Sequence, residues 1–195
     1  MVNDPKPLAA EQLDFQPLAI TIVAPSQTSE AFVRAKLLLC CAVVVLFAIS
    51  ASTQTVTVTI KCAKADKEYS IPVGDQPGHM YSISHTTCTY SKPGEIAGAT
   101  TKEGADTIFT DIRGGRMRWD GTYIETMSNG EKLIYRHHGM GTMKNSAFAG
   151  GTDYWEVTRG TGKLAGVRGK GTCKIVPEPD GSATDECTGD YAVPK

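Results

Sequence analysis

A chain of 195 residues, 41% of them hydrophobic, with a formal net charge of −1, suits one ordinary globular domain with some polypeptide to spare. The balance of charge has no basic excess of the kind that binds phosphate backbones, so no nucleic-acid partner is expected.

The polypeptide to spare is at the N-terminus. Leu37–Ile49, LLLCCAVVVLFAI, is an unbroken apolar run behind Arg34 and Lys36. It is short of the ~20 residues that span a bilayer but suits the hydrophobic core of a signal peptide. Small residues follow at Ala48, Ser50, Ala51 and Ser52, which predicts a signal peptide over 34–52, cleaved after Ser50 or Ser52. Residues 1–33 are polar and contain proline, unlike a short charged leader start. They are read as the product of a start assigned upstream of a true one at Val33, with the tail of a signal anchor as the second explanation. An uncleaved leader is the one attachment to a membrane expected, and the mature chain is placed in the periplasm or outside the cell.

Beyond the leader, Thr55–Cys62 alternates strictly, with Val56, Val58, Ile60 and Cys62 on one face of a first strand. Lys67–Val73 and His79–Tyr90 flank the turn Gly74–Gly78 and read as a hairpin with Tyr69 opposite Tyr81. Ser91–Ala105, rich in Gly, Thr and Pro, reads as a loop at a barrel mouth. Strands resume at Asp106–Ile112 and, after Gly114-Gly115, at Arg116–Met127. Asn129-Gly130 predicts a two-residue hairpin loop into Lys132–Met140. In that register Tyr123 faces Arg136, Trp119 faces Met140 and Glu125 faces Ile134. Gly139–Gly151 reads as a second irregular stretch. Asp153–Lys174 then holds two strands around a glycine-rich corner, and a last hairpin turns at Pro177–Ser182.

This leaves Cys62, Cys88, Cys173 and Cys187, an even number in a chain that reads as exported, so disulfides are expected. The first pair is symmetric about Asp75 and the second about Asp180, each inside a turn. That symmetry predicts Cys62–Cys88 and Cys173–Cys187. No pair has CxxC or HxxxH spacing, so no metal site is expected, and no cofactor motif is present.

The fold class expected is all-β: a closed antiparallel up-and-down barrel of about eight strands over 53–195, because closure removes the edges an open sheet would expose. The run Val157–Gly171, VTRGTGKLAGVRGKG, resembles the GGTGKFAGARG.G segment near the C-terminus of allene oxide cyclase-like and dirigent-like β-barrels and their bacterial relatives. Arg159 stands where the first glycine is common, and Leu164 replaces the usual aromatic. The resemblance implies the same kind of barrel and a homo-oligomer. Enzymes of that family steer cyclisation or coupling of apolar substrates largely by shape, and no catalytic motif of theirs is matched here residue by residue.

An eight-stranded barrel has an interior that side chains fill or that holds one small ligand. Trp119, Tyr123, Glu125, Arg136 and Trp155 are the candidate ligand-binding residues; Arg136 and Glu125 read either as an ion pair inside an apolar cavity or as part of a solvated outer face with cross-strand salt bridges. His137 and His138 point to opposite faces of a strand and cannot share one site. Catalytic residues are not identifiable. The function expected is a secreted barrel that binds a small apolar or aromatic molecule. A cyclase or isomerase using the same cavity and a structural envelope protein with a filled barrel are the alternatives.

Overall fold

The computed structural model describes residues 52–194, so the extension 1–33 and the leader up to residue 51 lie outside the described residues. The strands are β1 (Ser52–Cys62), β2 (Lys67–Pro72), β3 (Met80–Lys92), β4 (Glu95–Ile96), β5 (Ala99–Arg113), β6 (Arg116–Met127), β7 (Lys132–Lys144), β8 (Ala147–Gly160), β9 (Arg168–Pro177) and β10 (Ala183–Val193). One 3₁₀ turn, Gly162–Leu164, separates β8 from β9 and is the single helical element among the described residues. None of these residues forms a helix long and apolar enough to cross a membrane.

Antiparallel pairing runs β1–β10–β9–β8–β7–β6–β5–β3 and returns from β3 to β1, which closes an eight-stranded up-and-down barrel. The short β2 continues the path of β1 alongside β3, and β4 folds back on the start of β5. The barrel narrows to a plug at one end. There Ile96, Met127, Leu133 and Leu164 are each no more than 1% exposed and pack with Ala99 and Val167. Leu164, from the glycine-rich corner, is therefore the stopper of that end. The other end opens between Ile108, Phe148 and Ala183.

Both disulfides form as the turn symmetry predicts, and each joins directly opposite residues of neighbouring strands, Cys62–Cys88 across β1 and β3 and Cys173–Cys187 across β9 and β10.

Four expectations are corrected. Ser91–Ala105 is no loop: Ala97 and Gly98, at φ 50° and 77°, make a tight turn between β4 and β5, and Ile96 and Ala99 beside it are buried in the plug. Gly139–Gly151 is likewise strand, with β7 and β8 meeting at Asn145-Ser146, both at positive φ. Gly139, Gly141 and Gly151, which look like breaks there, face inward, and the rings of Trp119 and Phe148 occupy the space a Cβ would need. Tyr69 pairs with Ile83 rather than Tyr81, because the passage Ala63–Asp66 holds two more residues than its partner strand and shifts the register beyond the disulfide. Finally, Asn129-Gly130 sits in a three-residue loop with Gly130 at φ 84°, closed by Met127 and Glu131, so β6 and β7 slip by one residue. Tyr123 then faces Tyr135, Trp119 faces Gly139 and Glu125 faces Leu133.

Candidate functional site

Alternation along the closed sheet sends every second residue inward. From the plug towards the mouth, the lumen meets an aromatic tier, a charged tier and an apolar tier.

The aromatic tier surrounds Glu125, which is 3% exposed. Tyr90 donates a short hydrogen bond to its Oε1 and Tyr135 another to its Oε2. Hydroxyls of Tyr123 and Tyr191 lie 3.1 and 3.3 Å from those of Tyr90 and Tyr135. Trp155 lies against Tyr135 and Tyr191, its ring over the inward faces of Gly171 and Gly189. Burial pushes the Glu125 carboxyl up while its two phenol donors pull it back down. Burial also holds the Tyr90 and Tyr135 hydroxyls well above their usual range, with Glu125 beside them adding to the effect. A carboxyl that accepts from two buried phenols has its hydrogen bonds met, so this tier is a satisfied polar network.

The charged tier consists of Asp106 (β5), His137 (β7), Asp153 (β8) and Asp185 (β10). His137 lies 2.9 Å through Nε2 from Asp106 and 3.1 Å through Nδ1 from Asp153. Trp119 Nε1 donates to the same Asp153 oxygen at 2.6 Å. Burial alone would depress the imidazole, but the hydrogen bonds to the two aspartates outweigh it and push His137 up to about 10. The ring is therefore a held imidazolium at neutral pH, donating from both nitrogens. Gly121 leaves the room in which it lies, since a Cβ there would meet Nε2. Asp185 stands apart. Its Oδ1 is buried without a hydrogen-bond partner, and burial, followed by the charges of Asp106 and Asp153 and opposed by His137, pushes its carboxyl up to about 7.

The charged tier divides the lumen in two. Towards the plug is an inner chamber of about 70 Å³, walled by Val56, Tyr123, Glu125 and Trp155. Towards the mouth is a cup of about 370 Å³, walled by Ile108, Met117, Trp119, Phe148 and Ile175 above the four charged residues. Trp119 lies over Gly139 and Gly151 and meets Phe148 edge to face, with ring centroids 6.0 Å apart.

The candidate residues therefore separate. Trp119 lines the cup, while Tyr123, Glu125 and Trp155 line the inner chamber. Arg136 is corrected: the one-residue slip places it on the outer face of the barrel, paired with Thr122 and Glu156 and exposed, so it forms no ion pair with Glu125. His137 and His138 do point to opposite faces, the first buried and the second exposed and stacked on Tyr154. Sequence reasoning missed Asp106, Asp153 and Asp185, and it missed the phenols of Tyr90, Tyr135 and Tyr191. The signal was available: Asp153 and Asp185 are each two residues from a residue on the inward face, Trp155 and Cys187 respectively.

No family model and no curated protein matches the chain. Among solved structures it is similar to the pterocarpan synthase dirigent protein, at 15% identity over 77% of this chain and 96% of that one, with a TM-score of 0.45. It is similar also to a protein of unknown function of the DUF3224 family from Shewanella oneidensis, at 18% identity over 74% and 99% of the two chains, TM-score 0.42. A conserved protein of unknown function from Rhodopseudomonas palustris matches at 12% identity over 72% and 99%, TM-score 0.42. The described residues form a closed eight-stranded antiparallel barrel with a glycine-rich corner.

Proposed function

We propose that the protein is exported and holds a small apolar or aromatic molecule in the mouth of its barrel. The observation that carries this is the cup: about 370 Å³ of space with Ile108, Met117, Trp119, Phe148 and Ile175 on its wall beside Lys64 and Glu68, and the charged tier at its floor. Sites for small molecules run from about 300 to 1,000 Å³ and have this distribution of apolar wall and few polar groups. The inner chamber, at about 70 Å³, is too small for such a molecule and has the size of a site for a few waters. The floor is held before anything arrives, since His137 and Trp119 commit their N–H groups to Asp106 and Asp153. A preorganised floor binds with less loss of side-chain freedom. Two disulfides suit an oxidising compartment, which supports export.

Extraction of the purified protein, with mass spectrometry of what it releases, tests the reading. The expected result is one enriched apolar species, absent from an Ile108→Trp variant whose new indole fills the cup. An extract identical for the two proteins, together with no binding of a neutral naphthalene probe by calorimetry, overturns it.

A further inference from the structure

We propose that the molecule received by the cup carries a basic nitrogen and that Asp185 is its counter-ion. This rests on the reading of the cup as a binding site and adds the chemical class of its occupant.

Three carboxylates, Asp106, Asp153 and Asp185, meet one imidazole at the floor. Asp106 and Asp153 share His137 between them, and Asp153 also takes the indole N–H of Trp119. Every donor of the floor is spent on those two. Nothing is left for Asp185: its Oδ1 has no partner, and Oδ2 lies 3.8 Å from Cys62 Sγ, a disulfide sulfur with no proton to give. Its neighbours across the sheet, Ile60 on β1 and Ile175 on β9, are apolar. Lys64 and Glu68, one of each sign, are the remaining charged residues that line the cup. A buried carboxylate left unpaired is costly, and the cost is removed by a cation that can donate to it. The site that faces Asp185 has an apolar wall with two aromatic rings, Trp119 and Phe148, whose faces also favour a cation. A protonated amine on an apolar or aromatic body meets both requirements. An anion would face three carboxylates against one imidazolium.

The pH dependence follows from the groups that face Asp185, which are Asp106, Asp153 and His137 across the lumen and Lys64 and Glu68 on the cup wall. With its carboxyl pushed up to about 7, Asp185 is ionised above neutral pH and protonated below it. The amine prefers the ionised form, so its binding weakens as the medium is acidified and releases a proton when it occurs near neutrality.

Calorimetry with naphthylethylamine and its neutral isostere naphthylethanol tests this in the wild-type protein and in Asp185→Asn. At about pH 8 the amine is expected to bind the wild type about tenfold tighter than the alcohol, as a charge-assisted hydrogen bond supplies. The advantage shrinks at about pH 6 and disappears in Asp185→Asn, which still binds the alcohol. Asp185→Asn is expected to melt no lower than wild type, because it removes a buried unpaired charge. Equal binding of amine and alcohol by the wild type overturns the proposal while leaving the cup a binding site, as does an Asp185→Asn variant that keeps the preference. Failure of both probes to bind the wild type removes the binding reading itself.

Discussion

The two ends of this barrel are built differently from the same strands. At the plug, Ile96, Met127, Leu133 and Leu164 are fully buried, and the carboxyl above them has a donor for each oxygen. At the mouth the aromatic rings border a cavity, and one carboxylate oxygen is left without a partner. Closure of the sheet does not by itself decide whether a barrel is filled; the side chains of each tier do. The buried carboxyl at the filled end has its hydrogen bonds met, and the open space lies where one carboxylate oxygen does not.

The largest effect should come from the plug. Leu164→Ala empties a site with 0% exposure and is expected to cost about 2–5 kcal/mol in urea unfolding, whereas cup variants such as Phe148→Ala should change ligand binding before stability. Equal losses from the two would erase the distinction between the ends. Next is the staple of β9 and β10, which closes a loop with a sequence separation of 14. Replacing Cys173 and Cys187 together by serine is expected to lower stability by about 3 kcal/mol, read from the denaturation midpoint at a constant slope. Gly162→Val should follow, at about 1–3 kcal/mol, because the residue sits at φ 55° and a Cβ there would meet the Glu131 carboxylate that accepts from the Lys163 N–H. Its neighbour Lys163→Ala should stay within about 0.5 kcal/mol, and similar melting temperatures for the two would show that the corner does not depend on its backbone.

The remaining effect is electrostatic, accrues gradually with pH and belongs to the mouth. His137 is pushed up to about 10 in the folded chain, above the value of its unfolded form, so the fold binds a proton that the unfolded chain has released. That stabilisation is fully present below about pH 6.5 and is lost as pH rises through about 10, at no more than about 1.4 kcal/mol per pH unit. Melting temperature is therefore expected to decline from about pH 7 to pH 9.5 in wild type and to decline less in His137→Gln. Asp185 is also pushed up, so its penalty is absent below its unfolded pKa, grows as pH rises towards about 7 and is level above it, which adds a decline below neutrality and leaves the decline above it to His137.

Much of the architecture was legible because it rests on local periodicity and on symmetry about turns. The alternation of Thr55–Cys62 put Val56, Val58, Ile60 and Cys62 on one face of β1, which the structure turns inward, and the centring of each cysteine pair on its turn fixed both disulfides. Register was less legible, because a loop of two residues and one of three differ only in how the backbone after Asn129 is arranged. That difference of one residue moved Arg136 from the lumen to solvent and brought Tyr135 inside. Gly139, Gly141 and Gly151 misled for another reason: glycine marks both a break in a strand and a strand whose neighbour's ring needs the space. Local sequence does not distinguish them, since the rings at issue, Trp119 and Phe148, lie on other strands, that of Trp119 being two away from Gly151. The charged floor was hidden because its members come from four strands and become a group only when the sheet closes.

The rings that lie flat on those glycines make the calibre of the bore depend on residues with no side chain. A Cβ at position 139 or 151 would meet both the Trp119 indole and a backbone carbonyl, that of Thr152 or of Met140, so alanine there would displace the ring and the neighbouring strand together. The width of the mouth is thus set in part by positions that do not themselves line it.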